Sequence, residues 1–252
     1  MDVAPRGDGA RARDRRRPSS GPRLARAAGL RVVAATPGPA GARTRRGRDR
    51  GVEAHELAAA KKNAKRQHAW LVFEDESGVS QHPVVRRTWA PRGETPILIH
   101  TGGNWKRLSV AGALAFRWDG RRSRFFFHTR AGTYTDRALV PFLRTLKRHF
   151  RGRRVVLIWD GLGGHKSRYM TAYLRRQRAW LTVERLPAYA PELNPLEQVW
   201  GNVKTRELAN VCAPDLASLR RPLRCGFARI RRQPTLARAF LHHSGLSFAH
   251  AL

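Results

Sequence analysis

An α/β fold, one mixed sheet flanked by helices, follows from three features of the sequence. Two short apolar runs each close on an acid: AWLVFED at 69–75 and RRVVLIWD at 153–160. Two alternating runs, RLSVAGALAFRW (107–118) and SRFFFHT (123–129), meet at Asp119-Gly120, a strong hairpin signal. Helical periodicity then separates the later strand-like runs. A hairpin first and β-α-β crossovers afterwards predict three antiparallel strands followed by parallel ones.

The elements follow in chain order. Residues 1–50 hold 14 Arg, four Asp, no Lys and no aromatic residue, and they are rich in Gly, Pro and Ala. Such a stretch buries too little apolar surface to offset its chain entropy, so 1–53 is expected to be a disordered, Arg-rich segment. It reads either as a basic arm gripping DNA phosphates or as a stretch never selected as protein. AHELAAAKKNAKR (54–66) has helix-forming composition and makes 54–65 a helical lead-in. VVRRTWA (84–90) is a weaker strand candidate. Thr133 and Asp136 have capping-box-like spacing before a stripe of Ala138, Leu139, Phe142, Leu143 and Leu146, which predicts a helix through about His149, kinked at Pro141. A basic amphipathic helix is expected at 167–179, and a strand at 180–186. The Pro-rich loop 187–195 leads into a helix from Pro195 to about Ala209, and a last helix covers roughly 215–232. The main domain is therefore expected at 66–210, with a helical extension over 211–252.

Charge narrows the partners. The 252 residues carry 50 Lys+Arg against 18 Asp+Glu, a formal net of +32. A surplus of that size repels itself in a compact state unless a polyanion neutralises it, and nucleic acid is the polyanion that rewards each phosphate contact with counterion release. Cys212 and Cys225 are the only cysteines, which excludes a disulfide scaffold or zinc framework and fits a reducing interior. No run approaches the roughly 18 apolar residues that span a membrane. The basic N-terminus lacks a following apolar segment, so a secretory signal is not expected.

Asp75 and Asp160 end buried strands, and Glu197 opens the helix after the Pro-rich loop. Carboxylates on neighbouring strand tips repel one another unless a cation neutralises them. Three of them without His or Cys partners suit Mg²⁺ or Mn²⁺, and two such ions can activate a water or a 3′-hydroxyl against a phosphodiester. Each acid also has a plainer reading. An Asp at a strand end is a common turn residue. Asn194-Pro195-Leu196-Glu197 is a helix start by itself, with Asn194 as N-cap and Glu197 closing a capping box. Glu192 competes with Glu197 only if the helix begins earlier, against Pro195. Glu76 should face away from Asp75, because strand neighbours alternate. Trp200 reads as core.

FEDESG (73–78), WDGLGGHKS (159–167) and LPAYAPELNPLEQVWGNVK (186–204) together resemble the three signature blocks of mariner-like insertion-sequence transposases, within the DDE superfamily endonucleases. The resemblance covers about 60–210 and implies an RNase H-like fold with Asp75, Asp160 and Glu197 as the catalytic, metal-binding triad. Between Asp160 and Glu197 lie 36 residues, close to the interval this family shows. It implies one or two Mg²⁺ (or Mn²⁺) ions, two being expected, and His165 falls on the family's His after the second Asp. His165, Lys166, Lys204 and Arg206 are the candidate DNA contacts. The family usually has Asn where Gly161 stands, and full-length relatives carry helix-turn-helix modules before the catalytic domain. Residues 1–53 offer none, so a separate helix-turn-helix partner chain is one expectation, and a truncated copy is another.

The expected activity is metal-dependent hydrolysis at transposon ends, then attack of the freed 3′-hydroxyl on target DNA. A DNA-bound homodimer pairing two ends follows from the resemblance, as does a bacterial cytoplasmic, nucleoid-associated location. Two alternatives stay open: a non-catalytic remnant that binds DNA without transposing, and an RNase H-type nuclease.

Overall fold

The computed structural model describes residues 50–100, 106–186 and 190–248, with side chains from Leu57 onward. The expected disorder of 1–53 falls almost wholly outside these residues, as does the 187–189 part of the Pro-rich loop.

Five strands form one sheet in the order β3-β2-β1-β4-β5. They are β1 (Trp70–Ser80), β2 (Arg107–Phe116), β3 (Ser123–Ala131), β4 (Val155–Trp159) and β5 (Leu181–Arg185). β1 pairs antiparallel with β2, and β2 with β3. β1 and β4 run parallel, as do β4 and β5. This is the predicted mixed sheet, and it puts the two acid-flanked apolar runs, β1 and β4, side by side at its centre; β4 stops just before Asp160 as expected, but β1 does not end at Asp75 and runs on to Ser80, held by its pairing with β2. Phe73 pairs with Ile158 there.

Pleating sorts the central strands onto two cores. Leu71, Phe73, Val156 and Ile158 face a large cluster built with α1 (Arg50–Arg66), α4 (Pro195–Arg206), α5 (Leu216–Arg232) and α6 (Pro234–His243). Trp70, Val72, Val155, Leu157 and Trp159 face a second cluster built with α2 (Asp136–His149) and α3 (Arg168–Arg175). Both faces of β1 and β4 are therefore covered, which explains why they read as continuous apolar runs rather than alternating ones. None of the described helices is long and apolar enough to cross a membrane.

Several local expectations change. Residues 84–90 form no strand; their one pairing is a bridge between Val84 and Ala209. Arg86-Arg87 cannot be buried cheaply and Trp89 is 99% exposed, so the β-branched start of this run finds no sheet edge to join. The α2 cap is Thr135, whose Oγ1 accepts from Ala138 N; Thr133 stands outside the helix. Asp136 instead accepts from Arg137 N and, at 2.7 Å, from Ser167 Oγ. Those bonds hold its carboxyl below the usual range. α3 stops at Arg175 rather than 179 and α4 at Arg206 rather than Ala209, whereas α6 falls within the helical extension expected over 211–252 but past the one helix bounded there.

Candidate active site at the ends of the central strands

β1 carries three successive acids in mid-strand, just past the end of its pairing with β4 and still paired with β2, and alternation separates them. Asp75 points toward α4, and Glu74 and Glu76 point toward the turn after β4. The expectation that Glu76 faces away from Asp75 is met, and the same pleat buries Glu74 completely.

Asp75 is 9% exposed and pairs across the sheet with Gly112 of β2. The missing side chain at Gly112 matters. A Cβ there would run into the indole of Trp200, 3.0 Å from its Cζ2, and lie 3.3 Å from Leu196 Cδ2. Trp200 uses that space to bring Nε1 within 2.8 Å of Asp75 Oδ2, donating a hydrogen bond. Trp200 is core, as expected, but it also holds a carboxylate, which spacing alone did not reveal. Gly112→Ala is expected to displace the indole and cost about 1–3 kcal/mol, as overpacking does. A lower melting temperature together with altered Trp fluorescence checks this; an unchanged melt would show that the indole has room to move.

Burial pushes the Asp75 carboxyl up to about 7, against the Trp200 hydrogen bond, with the charges of Glu197, Glu76 and Asp160 adding to the rise. Glu197 and Asp160 are thus close enough to bear on Asp75. The three do not share the tightest grouping, however. Among the described residues, the set of potential metal ligands whose donor atoms all lie within 4.8 Å of one another is Glu74, Glu76 and His165. Asp75, Asp160 and Glu197 do not form such a set.

Glu197 reaches its position through Asn194. The Asn194 side chain caps α4 by accepting from Leu196 N at 3.1 Å, and its Nδ2 donates to Glu74 O of β1 at 3.4 Å. The helix start is thereby tied to the strand beside Asp75. The capping box is only half present. Asn194 N–H is taken by Pro191 O at 2.9 Å, so nothing there is left for Glu197 to accept. Its carboxylate makes no hydrogen bond among the described residues and stands exposed at the first turn of α4. Capping does not explain Glu197. Glu192 lies in the short 3-10 turn Pro191–Leu193, before that helix.

Asp160 follows β4 and is held on one oxygen. Leu162 N donates to Oδ1 at 3.1 Å, and His165 Nδ1 lies 2.7 Å from the same oxygen. Burial raises its carboxyl, but the His165 and Leu162 hydrogen bonds and the His165 charge outweigh that and hold it below the usual range. His165 is 2% exposed and stacks flat on Trp159, with ring centroids 4.1 Å apart and planes 3° from parallel. Its Nε2 lies 3.2 Å from Glu76 Oε1. Burial alone would lower this imidazole; hydrogen bonds to Asp160 and Glu76 overcome it and lift the group to about 10.

The other candidate contacts divide by exposure. Lys166 and Arg206 are exposed, and Lys204 is half-buried with Nζ donating to Ser77 Oγ at 3.1 Å. His165 is turned inward. Glu74 and Glu76 were missed as a pair because their meeting with His165 depends on the turn Gly163–Lys166 folding back over β1.

Comparison with known proteins agrees with this architecture. The mariner Mos1 paired-end complex with Mg aligns at 16% identity and a TM-score of 0.53, covering 85% of this chain and 68% of that one. The Mos1 mariner paired-end complex with Mn aligns at 18% and 0.52, with the same coverage of 85% and 68%. The Mos1 strand transfer complex aligns at 18% and 0.50, covering 84% and 67%. At these identities the likeness is one of fold, and it bears out the RNase H-like sheet. No curated protein sequence matches the chain. A family profile described as DDE superfamily endonuclease matches residues 70–220, a span that takes in β1, β4 and α4 with all three acid blocks, and the chain belongs to that family.

Proposed function

We propose that this chain is the strand-cutting domain of a DNA transposase, with Asp75, Asp160 and Glu197 holding divalent metal. The observation that carries the reading is Asp75. Its buried carboxyl has one oxygen fixed by Trp200, is raised to about 7, and feels the charges of both Asp160 and Glu197. A protein gains little from three such acids unless a cation joins them. The donors fit Mg²⁺ or Mn²⁺: they are hard oxygens, and Asp75 and Asp160 each have one oxygen tied to the protein and one without a partner among the described residues.

Bound there, a metal pair supplies Lewis-acid stabilisation of the attacking and leaving oxygens of a phosphodiester. The chain does the rest. Trp200 orients Asp75, the Asn194 tie sets Glu197 beside β1, and His165 fixes Asp160 from below. Exposed Lys166 and Arg206 suit phosphate contacts, and Lys204 would first have to leave Ser77. The net charge of +32 fits a DNA substrate.

The Mos1 structures named above are paired-end and strand transfer complexes. By analogy, the present chain hydrolyses a phosphodiester at an element's ends, and the freed 3′-hydroxyl then attacks a target phosphodiester, joining the element to the target phosphate as the target's own 3′-oxygen leaves. It works as a homodimer, with end recognition supplied by a helix-turn-helix partner chain, at a bacterial nucleoid. Nicking of supercoiled plasmid with Mn²⁺ tests the enzymatic reading. Cleavage abolished by chelator is expected, and tight binding without any nick marks a non-catalytic remnant.

A further inference from the structure

We propose that Glu74, Glu76 and His165 Nε2 form a second cation site, on the opposite face of β1 from Asp75, for one divalent transition ion such as Zn²⁺. The donor atoms already stand at ligand spacing. All lie within 4.8 Å of one another, and His165 Nε2 is 3.2 Å from Glu76 Oε1. Two ligands at tetrahedral angles on bonds of about 2.0 Å are separated by roughly 3.3 Å.

Glu74 supplies an independent reason. It is 0% exposed, and neither carboxylate oxygen has a hydrogen-bond partner. A buried carboxylate in that state is costly unless something positive meets it.

His165 is prepared as a ligand. Its Nδ1 lies 2.7 Å from Asp160 Oδ1, so a cation that displaces the Nε2 proton finds that nitrogen already facing Glu74 and Glu76 while Nδ1–H still donates to Asp160. Metal-binding histidines recurrently donate their other nitrogen to a carboxylate in this way. One imidazole with two carboxylates suits Zn²⁺ or Mn²⁺ better than Mg²⁺, which avoids nitrogen. The flat stack on Trp159 removes the ring's freedom to swing, and the Glu76 side chain, 16% exposed, gives an entry path. Such an ion would tie β1 to the turn after β4 and so set the position of Asp160 without joining the cleavage site.

The test uses the full chain carrying Asp75→Asn and Glu197→Gln, with Asp160 kept because it holds His165. After chelator treatment, the chain is titrated with Zn²⁺ by calorimetry and with Co²⁺ by visible absorption. One ion per chain and an intense four-coordinate Co²⁺ band are expected, with affinity falling at least tenfold when Glu74→Gln is added. No binding, or binding that Glu74→Gln leaves unchanged, overturns the site and assigns the cluster to a protonated Glu74 beside an imidazolium. If Glu74→Gln fails to fold by circular dichroism, X-ray absorption of the Zn²⁺-loaded parent decides. A single imidazole with carboxylate oxygens supports the site; two or more imidazoles overturn it. The cleavage site is disabled throughout, so failure here leaves the proposed function untouched.

Discussion

Asp75→Ala, Asp160→Ala and Glu197→Ala are each expected to lower Mg²⁺-dependent DNA cleavage by about a thousandfold or more, with DNA affinity nearly unchanged. Losing roughly 4 kcal/mol of transition-state stabilisation corresponds to that factor, and a displaced catalytic metal costs several kcal/mol. Affinity survives because it rests on counterion release by a chain of net charge +32, to which no single acid contributes favourably. Single-turnover cleavage of a labelled duplex, beside a binding titration at fixed salt, checks both halves. A variant that still cuts at the parent rate removes its residue from the site.

Trp200 is expected to matter nearly as much, by two routes that substitution separates. Trp200→Ala empties a 4% exposed position in the larger core and should cost about 3–5 kcal/mol of stability. Trp200→Phe keeps much of the packing and removes only the donor to Asp75 Oδ2, leaving a buried acceptor unpaired at about 1–3 kcal/mol. That hydrogen bond is what opposes the upward pull of burial on Asp75, so its loss moves the carboxyl above about 7. Metal is held by the ionised form. The acid limb of the pH–rate profile should therefore shift to higher pH in Trp200→Phe, and more Mg²⁺ should be needed at neutral pH. A profile that coincides with the parent's would detach Trp200 from Asp75. The linkage sign follows for the metal-free parent. Because Asp75 titrates higher folded than unfolded, its contribution to stability is full below pH 4 and is lost as pH rises through about 7. Mg²⁺ should offset that loss.

Much of this was legible because the informative residues are local. Five apolar residues flanked by charge and closed by Asp160 have the length and branching of a short buried strand, and β4 is Val155–Trp159. Asn194 suits an N-cap and Pro195 the first helical position, and α4 begins at Pro195 with Asn194 as its cap. The Asp119-Gly120 turn lies between β2 and β3 as expected, with Gly120 at φ 70°. The failures are tertiary. Residues 84–90 have strand-forming side chains, but no edge accepts them. α6 lies in the expected helical extension but its bounds were not read, because it spans only ten residues and its Ala237, Phe240 and Leu241 become a face only where α4 and α5 meet them. Trp200 was visible as core and invisible as a donor, because its bond to Asp75 depends on the space left by Gly112 across the sheet. Glu74 and Glu76 looked like neighbours of the important acid. Their convergence with His165 requires a residue 89 positions away to fold back over β1.

The central claim is that Asp75, Asp160 and Glu197 are drawn together by metal. Anomalous scattering from crystals of the chain soaked in Mn²⁺ tests it most directly. One or two peaks bounded by those three carboxylates, with Asp75 still accepting from Trp200, are predicted. Strong Mn²⁺ density elsewhere, with the trio open and unligated, would contradict it.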